Sequence, residues 1–394
     1  MPANRVVGIS LGVSLGAAIL FGGASLNLAH AKPFMIVGND EKVWWDDDGK
    51  TILSAPGKDT ILIVDLANPE DPKIVATLPL KNSIVGPPVN VDIDPTGAIA
   101  LVADSVDVIK DGDALKQVPD NKLYVIDLKA SPPKLATTVT LGKQPSGLSI
   151  SPSGKMALVA NRGDNTISVL SINGTDVKIT DTLTFPDSVS HVVFTPDGKR
   201  ALAARSPASK LSVLDIAGDK VTYNKLDLPT GQWPYNVVVT PNGKLALLNE
   251  TGSGGSSDGN VDTTSVIDLE ANPPRVIDKV VVGDGPEGLA MSPKGDLAVA
   301  AILNGSNNKK AFYYRKNGSL SILKIDGKKV TKSQDIDVGG LPEAVLFTPD
   351  GKYILAGNYM SQDFSILKVN GSKVTDTGKR FKVPGHPASA RMGR

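Results

Sequence analysis

Short runs that alternate apolar and polar residues recur along the chain after residue 42. Pairs of runs flank a Pro-x-Gly turn in VDIDPTGAIALVAD (91–104), LSISPSGKMALVAN (148–161), VVFTPDGKRALAAR (192–205), VVVTPNGKLALLNE (237–250), LAMSPKGDLAVAAI (289–302) and VLFTPDGKYILAGN (345–358). A degenerate first copy is VWWDDDGKTILSA (43–55). Alternation with period two predicts β-strands, and the Gly, Pro, Asn and Asp between the runs predict tight turns. No sustained helical stripe follows residue 31, so an all-β fold is expected.

The spacing of these turns predicts the architecture. The turn glycines stand 44 to 57 residues apart and are Gly49, Gly97, Gly154, Gly198, Gly243, Gly295 and Gly351. Each copy continues into a third apolar run, such as ISVLSI (167–172), and then a more polar one. A strand-only period of this length is typical of propellers and other β arrays. Seven copies of four strands therefore predict a seven-bladed β-propeller of four-stranded antiparallel blades.

Residues 1–31 predict a segment that is removed from the mature protein. Arg5 precedes a long apolar stretch, and Ala29-His30-Ala31 has the small-x-small pattern of a signal-peptidase site. We expect a signal peptide over 1–31, a single propeller domain over 32–394, and a periplasmic or secreted location. A retained membrane anchor is the alternative, because the apolar stretch is long for a signal peptide.

Two segments are candidates for closing the ring of blades. We predict that Phe34-Met35-Ile36-Val37 adds an outermost strand to the last blade. The alternative is the tail over 383–390, which resembles the start of an eighth first strand.

The repeat resembles the YVTN family of β-propellers. LVANRGDNTISVL (158–170) and ILAGNYMSQDFSIL (354–367) match the second and third strands of that repeat, and GKQPSGLSISPSG (142–154) and GGLPEAVLFTPDG (339–351) match its first strand. The resemblance extends to the wider superfamily of seven-bladed lactonase-like propellers and covers nearly all of 32–394. It implies the fold rather than the function, because such propellers host many unrelated activities.

Composition excludes several kinds of chemistry. The chain has no cysteine, which rules out a thiol nucleophile, a disulfide framework, Cys-ligated zinc and covalent haem. It has 42 Lys and Arg against 41 Asp and Glu, so no basic excess favours nucleic acid, which is not an expected partner. We expect no cofactor, no membrane contact after signal cleavage, and a monomer.

Three insertions lengthen the connection between the second and third strands. They cover about 104–121, 250–262 and 302–318. In a propeller these connections lie on the same face as those between successive blades. Loops that depart from a minimal scaffold commonly carry function, although tolerated polar insertions are the alternative.

Polar and aromatic residues are expected around the mouth of the central channel on that face. His191 with Glu287 or Glu343 is a candidate general base with its orienting acid. Arg162 and Arg205 are candidates for an anion clamp, with surface ion pairing as the alternative. Further candidate ligand-binding residues are Trp233, Tyr235, Asn236, Asn90, Glu250 and Tyr359.

Two insertions carry weaker signals. The stretch over 104–121 holds Asp104, Asp111 and Asp113, which are weak candidates for binding calcium because the spacing does not match an EF-hand loop. In KKAFYYRKNG (309–318) aromatic residues stand among basic ones, a pattern that suits a protein partner or a polyanion.

Three functions follow from these features. The leading hypothesis is an exported binding or scaffold protein that recognises a protein partner or a small anionic ligand on the insertion-bearing face. The alternative is a lactonase-like hydrolase that acts on a small anionic lactone at the channel mouth. A third is an accessory protein of an exported redox or metal-dependent pathway.

Overall fold

Seven four-stranded antiparallel sheets make up the protein, as the repeat predicts. A computed structural model describes residues 33–252, 254 and 256–393, so the predicted signal peptide lies outside the described residues. Together the sheets form a seven-bladed propeller, and a two-stranded hairpin is added to it. One short 3-10 helix, Ser206–Ala208, is present in the described part of the chain.

Six blades take their strands consecutively from the chain, and we number them 2 to 7. Blades 2 to 4 contain β6 (Val91–Ile93), β7 (Ile99–Asp111), β8 (Ala114–Asp127), β9 (Lys134–Thr140); β10 (Pro145–Ile150), β11 (Met156–Asn161), β12 (Thr166–Asn173), β13 (Asp176–Thr184); and β14 (His191–Phe194), β15 (Arg200–Arg205), β16 (Lys210–Ala217), β17 (Lys220–Pro229). Blades 5 to 7 contain β18 (Pro234–Val239), β19 (Leu245–Glu250), β20 (Asp262–Asp268), β21 (Arg275–Gly283); β22 (Pro286–Met291), β23 (Leu297–Ile302), β24 (Ser319–Asp326), β25 (Lys329–Asp337); and β26 (Pro342–Phe347), β27 (Tyr353–Asn358), β28 (Asp363–Asn370), β29 (Lys373–Lys382).

Blade 1 joins both ends of the described chain. Its strands, from the innermost outwards, are β30 (Pro387–Gly393), β1 (Phe34–Asn39), β4 (Thr60–Asp65) and β5 (Lys73–Leu78). The predicted closure is therefore wrong: β1 is the second strand of blade 1 rather than an outermost strand of the last blade, and the C-terminal segment closes the ring. Met35 and Val37 pack towards blade 7, whereas Ile36 packs towards blade 2. An apolar strand buried on both faces belongs inside a blade, whereas outermost strands such as β29 are mostly exposed.

The degenerate first copy of the repeat is not part of a blade. It forms a separate hairpin, β2 (Val43–Trp45) and β3 (Thr51–Leu53), inserted between β1 and β4. Gly49 makes the turn of this hairpin with φ +70°. The prediction of seven equivalent turns is thus wrong for the first copy, because this hairpin shares the turn chemistry without the position in a blade.

The hydrophobic core lies between the blades. Seven apolar clusters of described residues each join one pair of neighbouring blades, including the pair formed by blades 7 and 1. Alternate residues of an inner strand contribute to opposite neighbours, which explains why the strands are apolar on both faces. No blade could cover both of its faces alone.

Candidate functional site

Four insertions meet on one face of the propeller, which we call the insertion face. They are the β2–β3 hairpin region (40–59) and the three predicted segments (104–121, 250–262 and 302–318). The Tyr313 hydroxyl donates a hydrogen bond to the Ser257 carbonyl at 2.9 Å, and Lys309 pairs with Asp47 at 2.5 Å. The segment over 104–121 is not a loop, since it extends β7 and β8 into a longer hairpin.

The β2–β3 hairpin covers the mouth of the central channel. Val43 packs in an apolar cluster with Ile84, Leu303, Leu341 and Tyr359, which come from the blade 1–2 connection and from blades 6 and 7. Tyr359 was predicted to bind a ligand, but it is fully buried, and its hydroxyl donates a hydrogen bond to the Val43 carbonyl, with the Asp40 carbonyl also within reach at 3.1 Å. Tyr359 therefore anchors the cover.

Lys42 fastens the cover electrostatically, a role that the sequence did not indicate. Its side chain is fully buried and donates hydrogen bonds to the Asp59 carboxylate and the Asn82 carbonyl, with Asp40 at 3.4 Å. Burial alone would lower the pKa of Lys42, but the carboxylates of Asp40, Asp104 and Asp59 outweigh it and raise that pKa. Burial raises the pKa of Asp40 to about 6 in spite of the Lys42 charge. We call Lys42, Asp40 and Asp59 the Lys42 cluster.

A second group of charges lies at the propeller axis. Tyr235, Glu287 and Glu343 occupy the same register position of the innermost strands in blades 5, 6 and 7. Arg162 follows the second strand of blade 3 and acts electrostatically on both Tyr235 and Glu287. Side chains from four blades thus converge, and we call these four residues the axial cluster.

Burial sets the protonation of the axial cluster. Glu287 and Glu343 are each 4% exposed. Burial, with the Glu343 charge, raises the pKa of Glu287 well above its usual range, although Arg162 opposes the rise. Burial raises the pKa of Glu343 to about 8. Two close carboxyls in a poorly solvated site cannot both ionise readily, so at least one is protonated at neutral pH.

Several buried polar atoms beside the axis have no hydrogen-bond partner among the described residues. They are Glu287 Oε2, Arg162 Nη1, Ser146 Oγ and Asn236 Oδ1. Buried polar atoms are normally paired with protein, water or ligand, because leaving them unpaired costs about 1–3 kcal/mol each. These atoms are therefore the polar groups that the axial region offers to a bound molecule.

His191 stands apart from the axial carboxyls. When the innermost strands of the blades are aligned by register, His191 occupies the position after the one held by Tyr235, Glu287 and Glu343. Its ring fills space beside Gly147, where an added Cβ would come within 2.7 Å of the imidazole. Its Nδ1 accepts the Val237 N–H at 3.1 Å, and burial, with the Arg391 charge, lowers its pKa to about 3. The structure does not join His191 to Glu287 or Glu343 by a hydrogen bond, and the imidazole is neutral and a weak base.

The two candidate clamp arginines are also separated. Arg205 is 2% exposed and is held inside its own blade by Asp187 and Asp227, the latter at 2.8 Å. Its register equivalent in blade 5 is Glu250, which binds Thr263, Ser265 and Lys279 of the outer strands. Arg162 lies one residue beyond this position in blade 3 and so takes a different direction. The predicted clamp is not formed.

The remaining candidate ligand residues have local roles. Asn90 is buried and donates to Asn82 Oδ1 and to the Ala103 carbonyl, each at 2.7 Å. Trp233 is half-buried with φ +56°, a left-handed conformation shared by Gln144 and Leu341 before the first-strand prolines of other blades.

The acidic candidates for calcium do not meet. Asp104 is fully buried near Lys42, whereas Asp111 and Asp113 flank the turn of the β7–β8 hairpin. Asp111 lies seven residues after Asp104, about 23 Å along the extended strand. Among the described ranges, no three His, Cys, Asp or Glu residues are arranged to hold a metal ion.

Exposed apolar side chains are present on every insertion. Trp44, Ile109, Val261 and Phe312 are each more than a third exposed, and Phe312 is 93% exposed. The other large apolar residues with comparable exposure in the described chain all lie on outermost strands and are Ile74, Val75, Leu135, Ile179, Ile277 and Val281. In the described residues, no helix has the length and apolarity that crossing a bilayer requires.

Comparison with solved structures identifies the same fold in proteins of different names. A "putative 6-phosphogluconolactonase" from Bacteroides fragilis has a TM-score of 0.69 and 18% identity, over 93% of this chain and 99% of the other. The periplasmic gluconolactonase PpgL of Pseudomonas aeruginosa has a TM-score of 0.66 and 18% identity, over 92% and 99%. Hydrazine synthase of Kuenenia stuttgartiensis has a TM-score of 0.55 and 19% identity, over 73% and 78%.

Sequence comparisons give no closer relationship. No protein-family model matches the chain, and no curated protein matches it. At these identities the structural likeness establishes the seven-bladed propeller fold alone, and function has to be argued from the site.

Proposed function

We propose that this chain is an exported binding protein that recognises a protein partner through its insertion face. The observation that carries the proposal is the presence of one exposed apolar side chain on each of the four insertions, at Trp44, Ile109, Val261 and Phe312. Aromatic side chains such as Trp44 and Phe312 are enriched among the anchors of protein interfaces. The proposal includes export because residues 1–31 have the pattern of a cleaved signal peptide.

The bracing of the insertions supports this proposal. Ser257 accepts from Tyr313 and also receives the Gly305 N–H at 2.8 Å, so the segments 250–262 and 302–318 are held together. Lys309 and Lys310 join the second of these segments to Asp47 and Asp48 of the hairpin turn. A surface braced in this way loses little conformational entropy on binding, which favours affinity.

These residues are less suited to binding a small anionic ligand. Arg205 is neutralised by Asp187 and Asp227, and Arg162 lies among buried glutamates. We therefore rank a protein partner above a small anion for this face.

Site-specific photo-crosslinking tests the proposal. A photoreactive amino acid at position 312 or 44 should give the same adduct in native extract, and mass spectrometry then identifies the partner. The matched control is position 75, because Val75 is 58% exposed on an outermost strand away from the insertions. With the purified partner, Phe312→Ala should weaken binding by about tenfold or more, and Val75→Ala should leave it unchanged. Equal adducts from position 75, or no adduct at all, would contradict the proposal.

Lactone hydrolysis at the axial cluster is the second candidate. Its support is the pair of buried carboxyls with unequal environments beside Arg162, together with the name of the Pseudomonas aeruginosa neighbour. When one of the two carboxyls is ionised, Glu343, whose pKa is raised less, would take the proton of a water that attacks the lactone carbonyl. The protonated Glu287 would supply a proton to the departing ring oxygen, and Arg162 would bind an anionic substituent. This chemistry requires the β2–β3 cover to move.

Turnover measurements distinguish the two candidates. We expect purified protein to leave glucono-δ-lactone and its 6-phosphate at their spontaneous rates of hydrolysis. Hydrolysis that Glu343→Gln abolishes and His191→Ala retains would instead favour the lactonase function. Thermal melting of both variants would confirm that they are folded.

A further inference from the structure

A cleft of about 600 Å³ lies between the segments 250–262 and 302–318, away from the axial cluster. Its volume is within the usual range for small-molecule sites. Three of its lining residues are aromatic and five are charged, and all five charged groups come from the 302–318 segment or from strands of blade 6 and its connection to blade 5. The aromatic and charged residues are Phe312, Tyr313, Tyr314, Asp284, Arg315, Lys332, Asp335 and Asp337.

One ring of the aromatic wall of the cleft, that of Tyr313, is fixed in place. The Tyr313 ring is closely flanked by two glycines, since a Cβ on Gly259 or Gly305 would come within 2.9 or 2.6 Å of Tyr313 side-chain atoms. Its hydroxyl is bound to Ser257, and Phe312 stands edge-on to it with ring centroids 5.1 Å apart. Two aromatic surfaces are thus presented at nearly a right angle.

The polar groups of the cleft are partly paired and partly available. Asp284 accepts the N–H groups of Asp258 and Gly259 at 3.0 and 3.1 Å, and Lys332 pairs with Asp335 at 2.8 Å. The side chains of Arg315 and Asp337 make no hydrogen bond or ion pair within the described part of the chain. The cleft therefore offers both an unpaired donor group and an unpaired acceptor group beside aromatic rings.

The charges and unpaired polar groups of the cleft favour one chemical class of ligand over the others. Three carboxylates against two cations leave a net charge of −1, so an anion would meet repulsion and receive one uncommitted cation. A cation would be repelled by the positive charges of Arg315 and Lys332. An apolar ligand would desolvate charged groups and return no hydrogen bonds to them. A neutral sugar avoids these costs, because its hydroxyls both donate and accept, while its C–H face packs on the electron-rich face of an aromatic ring.

We propose that the cleft bounded by Tyr313, Phe312, Arg315 and Asp337 is a binding site for a neutral saccharide. The sugar ring packs against the Phe312 or Tyr314 ring, Arg315 donates to its hydroxyl oxygens, and Asp337 accepts from its hydroxyl groups. The site is separate from the axial cluster. It also goes beyond the protein-partner proposal, because purified protein and sugar are sufficient to test it.

Saturation-transfer NMR and calorimetry with defined trisaccharides test this site on the full mature chain. The neutral probes are maltotriose, cellotriose, mannotriose and triacetylchitotriose. The charged probes are trigalacturonate and the fully deacetylated chitosan trimer. We expect saturable binding of at least one neutral probe and no binding of either charged one.

Substitutions of residues that line the cleft test whether the sugar binds there. Tyr314→Ala and Phe312→Ala together should weaken binding of the neutral probe by about tenfold or more, through loss of the aromatic surface. Asp337→Asn should weaken it by a smaller factor, since the amide still accepts one hydrogen bond. Trp44→Ala is the matched control, because it removes an exposed aromatic residue of the same face that does not line the cleft.

Three results would overturn the saccharide site. They are failure of every neutral probe to bind, preferential binding of a charged probe, and equal loss of binding in the Trp44→Ala control. None of them bears on the crosslinking experiment, which detects a protein partner at positions 312 and 44. Melting temperatures of the variants separate lost binding from lost folding.

Discussion

The molecule contains two buried groups of charges that differ in how their charges are paired. In the Lys42 cluster, the ammonium is surrounded by Asp59, Asp40 and the Asn82 carbonyl. In the axial cluster, Arg162 Nη1 and Glu287 Oε2 have no hydrogen-bond partner among the described residues. The contrast teaches that burial of charge does not by itself indicate function. A paired buried charge braces the fold, whereas unpaired buried atoms are available to a ligand.

The largest effect is expected from breaking the paired cluster. Lys42→Met leaves Asp40 and Asp59 buried without their cation and should lower the free energy of unfolding by about 3–5 kcal/mol. Urea denaturation at pH 7 measures this change. The control is Lys309→Met, which removes an exposed ion pair with Asp47 and should leave the free energy of unfolding nearly unchanged. A similar loss in both variants would remove the special role of Lys42.

The two arginines give the next largest difference. Arg205→Gln leaves Asp187 and Asp227 facing each other without a cation and should cost about 2–3 kcal/mol, a value reduced because both carboxylates are partly solvated. Arg162→Gln removes a group with an unpaired Nη1 and should cost below about 1 kcal/mol. The same denaturation assay compares them. A greater loss for Arg162 would mean that the axial cluster is structural.

The pH dependence of stability is a smaller effect that sharpens the comparison. The pKa of Glu343 rises from 4.5 to about 8 on folding, so the folded state binds more protons than the unfolded state between these values. Its contribution to stability is therefore fully present below about pH 4.5 and is lost as the pH rises through about 8. Urea midpoints at pH 5, 6.5 and 8 should fall progressively.

Glu343→Gln should flatten this decline, because the amide cannot titrate. Glu270→Gln, at an exposed residue with surface partners, is the control and should keep the wild-type slope. An unchanged slope in Glu343→Gln would assign the pH dependence to other groups, such as Asp40.

The sequence predicts the blades well because their determinants are local. Alternation after the Pro-x-Gly turns identifies third strands such as ISVLSI (167–172), which lies within β12 (Thr166–Asn173) in the structure. The closure was mispredicted because it depends on a pairing between β1 and β30 that are more than three hundred residues apart. Nothing near Phe34 distinguishes a second strand from an outermost one except its burial on both faces.

The site was predicted less well because it depends on single steps of register. Arg162 and Arg205 look equivalent at the ends of second strands, yet one residue separates their positions and sends them to different surroundings. The hairpin at 104–121 did have a local signal, since Asp111-Gly112-Asp113 follows the alternating Val106, Asp107 and Val108. The sequence near Lys42 carries no local signal of its burial, because that burial depends on the distant residues Asp59 and Asn82.

The way that blade 1 is assembled has a consequence for biosynthesis. The innermost strand of blade 1 follows all the other described strands in the chain, so β1 and β4 are translated long before β30 exists to complete their sheet. Until then the apolar edge that β1 presents is open to non-native pairing with other chains. A chain without Pro387–Gly393 keeps the other three strands of blade 1 but lacks the one that pairs with the inner edge of β1.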